Sequence, residues 1–397
     1  MRHRSLLEVH NNSPSTCRAH VVYVVHDTLQ HGRKAVNLVP LPGPNVIAKR
    51  PAGAVPYEGW SISRYKYAQR RHGNPFVLDL EALQTPNSTN QQTDHSLQSM
   101  IESTHGFVCP INSDDIRNRW LNTFIPLQGQ VVKRYPPNVI KFVDRMLKSY
   151  ASMVLRGRAP PFVHHTQLSS PPLSTCFTLV RLCKDPLTGS EKVVTEILQR
   201  EMTRLHEGYT LYSHVDLLGV FQAYLIYSMV LFFNLDQASM SFLRQAIIDL
   251  QEIACATSRQ GLVCIAEQEG LRPEWEMWTV AEAKRRTLYT MYFLDNVLSA
   301  KDGLPTYIAH ELKGLYAPSS KELWQGDQAE WEKGYDSHMD GWRDEMFQLD
   351  ELWSAYGMEE GSVERIRRQE RTDRWLEGVD EFGTMLYAVT SCIHGGE

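Results

Sequence analysis

Glu282, Arg285, Arg286 and Asp295 are the side chains in this sequence best placed to do chemistry. A carboxylate one helical turn from two guanidiniums can serve as an acid beside an anion clamp, or as a locked ion pair. The surrounding run over 274–295, E-W-E-M-W-T-V-A-E-A-K-R-R-T-L-Y-T-M-Y-F-L-D, places Trp275, Trp278, Leu288, Tyr292 and Phe293 mostly on the opposite side of one helix. That favours an ion-pair network locking neighbouring helices over a catalytic acid with its anion site. If such a network is buried, deleting one partner leaves the other charge unpaired and is costly.

Other candidates fare worse. His164-His165 has the residue type of a metal ligand or general base, but no H-E-x-x-H motif or facial carboxylate set accompanies it. His206-Glu207 is followed by Gly208 rather than a second histidine. The seven cysteines, Cys17, Cys109, Cys176, Cys183, Cys255, Cys264 and Cys392, are scattered, odd in number and contain no C-x-x-C pair. Reduced thiols in a cytosolic or nuclear protein fit this better than a disulfide scaffold. Cys176 and Cys183 share an apolar helix face with Leu179 and Val180, as core cysteines do. His26 and His31 have zinc-finger spacing, but no cysteine pair precedes them. Neither a nucleophile elbow, a phosphate-binding loop nor a dinucleotide fingerprint occurs. The reading therefore assigns no catalytic, cofactor-binding or metal-ligating residue, and expects no enzyme.

The elements that position these residues are helical. After the capping cluster Asn112-Ser113-Asp114-Asp115, helices are expected from about Ile116 and over 138–156, 173–182, 191–205, 215–233, 239–259, 274–300, 330–356 and 362–392. The run 217–233 is apolar enough to raise the question of a membrane span. No lysine or arginine flanks it closely, and a central helix buried on all sides explains it better. Residues 1–75 contain repeated prolines and no sustained period, with at most one short strand at 21–25. Residues 84–99 read as polar linker.

Of 397 residues, those in 1–75 carry eleven basic side chains against three acids, a balance of +8 that leaves −13 for the rest of a −5 chain. The net charge speaks against a chain devoted to binding nucleic acid. Arg64, Lys66, Arg70 and Arg71, interleaved with Tyr65 and Tyr67, could form a nuclear-import or weak phosphate-binding patch. Residues 322–381 hold eighteen acids and seven basic residues around several tryptophans. An amphipathic helix with a solvated acidic face is preferred there over a coactivator-docking segment.

Several segments, in fixed order, carry a resemblance. Arg119-Trp120-Leu121-Asn122 with Phe124-Ile125-Pro126 is similar to an R-W-L-N-x-F-I-P motif. Pro160-Pro161-Phe162-Val163-His164 and Pro172-Leu173-Ser174-Thr175-Cys176 are similar to P-P-F-[IV]-H and P-L-[AS]-x-C. Residues 201–205 follow E-x-x-R-L, and Gln222, Ala223 and Tyr227 fall in an L-L-x-x-x-Q-A-x-L-I-Y helix. After the Glu282-bearing helix come Glu311-Leu312, Pro318, Leu323-Trp324 and Trp331, with the proline-rich part reduced to G-L-Y-A-P. From about 118 to 342 the chain resembles the regulatory domain, or middle homology region, of fungal zinc-cluster transcription factors.

The resemblance implies an all-α, multi-helix regulatory domain at 113–397, preceded by a largely irregular N-terminal arm at 1–75 and a linker at 76–112. It implies a nuclear transcriptional regulator or co-regulator, in a setting such as a gene cluster for secondary metabolism. Its partners would be the transcription machinery or a DNA-binding protein, with a homo- or heterodimer as a further expectation and no membrane. The family's six-cysteine zinc module does not occur in these residues, which argues against direct specific DNA binding. Either the gene model is truncated or the chain serves as partner or inhibitor of a complete regulator. An all-α enzyme and an interaction scaffold without promoter activity remain the alternatives. The enzyme would gain weight if His164, His165 and Glu201 met in a cleft.

Overall fold

A computed structural model of the chain describes residues 6–7, 23–30, 33–40, 106–123, 132–133, 135–184, 189–234, 240–307, 309–342, 345–353 and 361–391. The chain separates into two units, Met1–Asn87 and Ser88–Glu397. The basic cluster at 64–71, the polar run at 84–99, Cys17, Cys392, His31 and Phe124-Ile125-Pro126 lie outside the described residues.

In the first unit, β1 (Leu6–Leu7), β2 (Tyr23–Gln30) and β3 (Arg33–Pro40) form an antiparallel sheet in that order. The register runs from Tyr23 opposite Pro40 to Gln30 opposite Arg33. The single short strand expected at 21–25 thus understates the segment. Asp27, Lys34 and Asn37 are poor strand formers and hide the pairing from a reading by propensity.

The second unit is all-α. Its described residues contain α1 (Ser113–Arg117), α2 (Pro137–Leu155), α3 (Pro171–Arg181), α4 (Glu191–Gly208), α5 (His214–Asn234) and α6 (Met240–Arg259). They continue with α7 (Ile265–Gln268), α8 (Trp275–Lys301), α9 (Lys321–Gln325), α10 (Gln328–Gly341), α11 (Val363–Gly378) and α12 (Glu381–Thr390). Local chemistry sets the ends. Pro137 and Pro171 open α2 and α3, where the missing amide hydrogen costs nothing. Asp327 and Glu330 exchange side-chain-to-backbone bonds at the start of α10, and the Asp380 carboxylate accepts from the Gly383 amide at the start of α12. Two-residue ladders tie loops together: β4 (Phe107–Val108) pairs with β6 (Val263–Cys264), and β5 (Val132–Lys133) with β7 (Thr306–Tyr307). Residues 107–108, in the stretch expected to be linker, therefore belong to the ladder.

Helix α5 is the axis of the unit. Every residue from 217 to 231 is buried, and α2, α3, α4, α6 and α8 pack around it. It is long and apolar enough to cross a membrane by length and composition, yet 83% of its apolar window is covered by the fold. An all-round apolar helix is what such a position demands.

Two expected helices are broken. The segment expected as one helix over 330–356 stops at Gly341; Gln348 instead bridges Tyr316 in antiparallel fashion, and a 3-10 turn, Leu349–Leu352, follows. The Ala317 amide donates to Phe347 O at 3.0 Å and the Leu349 amide to Leu315 O at 2.7 Å, so this backbone is used between segments. The segment at 362–392 splits between Gly378 and Glu381, where Asp380 becomes a helix cap.

Candidate functional site

Helix α8 runs 27 residues because nothing between Trp275 and Lys301 interrupts it: glycine and proline are absent. From 281 to 294 its apolar and charged residues are all buried, since neighbours cover this stretch on every side. Glu282, Lys284, Arg285 and Arg286 are each fully buried, and this makes α8 the electrostatic centre of the unit.

The spacing of Glu282, Arg285 and Arg286 does what one helical turn allows. Arg285 Nη2 donates to Glu282 Oε2 at 2.7 Å, and Arg286 Nε donates to Glu282 Oε1 at 2.7 Å. The Ser319 amide completes the carboxylate with a donation to Oε1 at 2.9 Å. Burial pushes the Glu282 carboxyl up, but the two guanidiniums outweigh it and leave its pKa below the ordinary value.

Arg286 then reaches away from its helix. Nη1 donates to Asp380 Oδ2 at 2.6 Å, Nη2 donates to Ser319 O at 3.1 Å, and the guanidinium lies 4.6 Å from the Trp324 ring centre. Pro161 O sits 3.5 Å from Nη1, at the limit of a bond. One side chain thereby joins α8 to the 160–164 loop, the 317–320 loop and the start of α12. Arg285 donates to Leu262 O at 2.9 Å and lies 3.7 Å from Glu267 Oε2.

Asp295, expected in the same set, belongs to another one. It is nine residues beyond Arg286 and takes a 2.9 Å bond from Arg119 Nε. Arg119 Nη1 donates to Glu311 Oε1 at 2.7 Å, and its guanidinium lies 4.2 Å from the Tyr292 ring centre. The Tyr292 hydroxyl donates to the same Glu311 oxygen at 3.0 Å. The fourth member of the first cluster is Asp380, which spacing on α8 has no means of indicating. Its only local signal is the cap pattern D-E-F-G, concealed inside an apparently continuous helix.

Lys284 also escaped the sequence reading. Its Nζ donates to Gly261 O at 3.0 Å and lies 2.8 Å from His214 Nε2, with the Phe107 ring 5.1 Å away. None of the described ion pairs gives it a carboxylate. Burial lowers its pKa to about 7. Burial, then Lys284, lowers that of His214 to about 4.

The histidine candidates are structural in their contacts. His164 Nδ1 accepts from the Thr166 amide at 3.4 Å and caps the short turn His165–Gln167. Burial, then His165, lowers its pKa to about 4. Gln222, from the axis helix, donates through Nε2 to Phe162 O at 3.0 Å and to Gln167 Oε1 at 2.8 Å, which holds this loop against α5. Trp275 and Trp324 flank His164, with ring centres 5.8 and 4.9 Å away. Glu201 is elsewhere: both of its oxygens take donations from Arg204, at 2.6 and 2.8 Å. Cys176 is buried and lies 3.7 Å from Ala223 O; Cys183, expected on the same helix face, is buried in the turn that follows α3. Among the described residues no group of three His, Cys, Asp or Glu side chains is placed to hold a metal ion.

No family model, curated protein or solved structure matches this chain.

Proposed function

We propose that the chain is a transcriptional regulator or co-regulator of fungal genes, acting through its helical unit and breaking no bonds. One observation carries the reading: the segments on which the family resemblance rests converge on two buried ionic clusters. Arg119 from the R-W-L-N segment meets Asp295 of the Glu282-bearing helix α8 and Glu311 from the E-L segment. Glu282, Arg285 and Arg286 meet the loop before Leu323-Trp324 and the P-P-F-V-H loop. The charges most suggestive of chemistry are committed to each other, so a role in assembling a signalling bundle suits them better than a turnover step. The proposal includes a nuclear location and a partner drawn from the transcription machinery or a DNA-binding protein.

The test is a comparison of transcript levels for genes adjoining the locus in a deletion strain and its parent. The reading expects coordinated change of a neighbouring gene set, together with occupancy of their promoters by the tagged protein. Unchanged transcripts under all growth conditions in which the protein accumulates, with no promoter occupancy, would leave the enzyme and scaffold alternatives.

A further inference from the structure

Beside the first ionic cluster lies a cavity of about 200 Å³, bounded by α8, α10, α11 and the 316–320 loop. Glu267 and Arg285 line its inner end and are buried, while Ser337 and Arg374 line it from the exposed side. Trp342 and Trp375 form an aromatic wall, each with its ring centre 5.4 Å from that of Phe347 between them.

The polar groups at the inner end are incomplete. Glu267 Oε1, Arg285 Nε and His338 Nε2 have no hydrogen-bond partner, although such buried atoms in folded proteins are nearly always paired. The charges are uneven as well. Among the buried charges here, Glu267, Glu282 and Asp380 exceed Arg285 and Arg286 by one carboxylate, the cationic Arg374 standing on the exposed side. Arg285 does not cancel that surplus, because its Nη2 is held by Glu282 at 2.7 Å and its Nη1 lies 3.7 Å from Glu267. Burial pushes the Glu267 carboxyl up, as for a carboxylate short of counter-charge, and lowers His338 to about 4, which keeps its ring neutral. An incoming hydrogen-bond donor bearing positive charge would satisfy the Glu267 oxygen and offset the buried surplus, while the Arg285 N–H, itself a donor, would need an acceptor elsewhere on the ligand or a water. Aromatic faces attract cations, as Arg371 and Arg374 at 5.1 and 5.7 Å from the Trp342 ring centre already show. The −11 balance over 322–381 would draw a cation toward this face.

We propose that this cavity is a binding site for a small organic ammonium ion with a flat apolar body, its nitrogen directed to Glu267 and its body against Trp342 and Trp375. The size agrees: a cavity of roughly 150 Å³ takes benzene, so this one takes a ring with a short aminoalkyl chain. The site is independent of any action at promoters, because the readout is binding.

The experiment is calorimetric titration of the full chain at pH 7 with phenethylamine as probe, beside 2-phenylethanol and 3-phenylpropionate, which share its shape. Saturable binding of the amine at one site is expected, with both isosteres at least tenfold weaker. Glu267→Gln should weaken the amine at least tenfold. Ser337→Phe, at the exposed side, should obstruct entry without altering the circular dichroism spectrum or melting temperature, and it decides the matter if Glu267→Gln does not fold. Absence of saturable binding would mean that water alone fills the cavity. Equal affinity for all three probes, or full affinity in Ser337→Phe, would equally overturn the proposal.

Discussion

Lys284 shows how little a residue's type says about its state until its surroundings are known. In A-E-A-K-R-R it looks like one more cation beside Arg285 and Arg286, yet those two have buried carboxylates and it has a carbonyl and an imidazole. The i, i+3 and i, i+4 spacing made the Glu282 pairs legible, because both partners sit on one helix. Spacing is silent on Lys284, whose surroundings come from α5 and from the turn after α6. The consequence is a pH dependence with a definite sign. The folded pKa of about 7 lies below the ordinary 10.5. Between those values the unfolded chain holds a proton that the folded chain lacks, so stability rises with pH across the window and loses nothing further below it. Lys284→Met removes this contribution. In urea denaturation between pH 7.5 and 10, the parent should gain on the variant with rising pH, by up to about 1.4 kcal/mol per unit. Loss of the bond to Gly261 O offsets the variant equally at every pH, so the slope is the test. Parallel profiles would show that Lys284 stays charged inside the fold.

Among elements, helices with a clear apolar period were read well and their interruptions were not. Helices α2, α5 and α8 fall close to their expected limits, since Val143, Leu147, Tyr150 and Val154, for example, recur on one face of α2. The break at Gly341 was hidden because an amphipathic pattern continues through Trp342 and Phe347, whereas the backbone there is bonded to 315–317. That partner is distant in sequence, and periodicity carries no information about it. Turns carry their own requirement at Gly261, between α6 and β6, where φ is +94°. A Cβ at this position would sit 2.4 Å from Phe107 Cβ and 3.0 Å from the Val108 amide nitrogen, in a left-handed conformation that side chains rarely adopt. Gly261→Ala should therefore cost at least about 1–3 kcal/mol, read as a lower midpoint in urea. A loss under about 0.5 kcal/mol, the range of ordinary surface substitutions, would mean that the β4–β6 ladder moves aside freely.

For the molecule as a whole, the all-α class of the second unit was readable because its core positions repeat with helical period. The assembly was not, because it depends on long-range bonds such as Arg286 to Asp380 and Arg119 to Glu311, separated by 94 and 192 residues. These bonds turn a set of helices and loops into one cooperative body. If the charges on α8 exist to hold that body together, truncating the most connected of them must destabilise it strongly, and truncating an exposed arginine must not. The decisive measurement is the melting temperature of the full chain with Arg286→Ala, beside Arg204→Ala, the exposed partner of the partly buried Glu201. Breaking the buried pair should cost about 3–5 kcal/mol and lower the melting temperature by at least about 5 °C, while Arg204→Ala, worth about 0–1 kcal/mol, should leave it nearly unchanged. An Arg286→Ala protein that melts with the parent would contradict the account and return these charges to the search for a reaction.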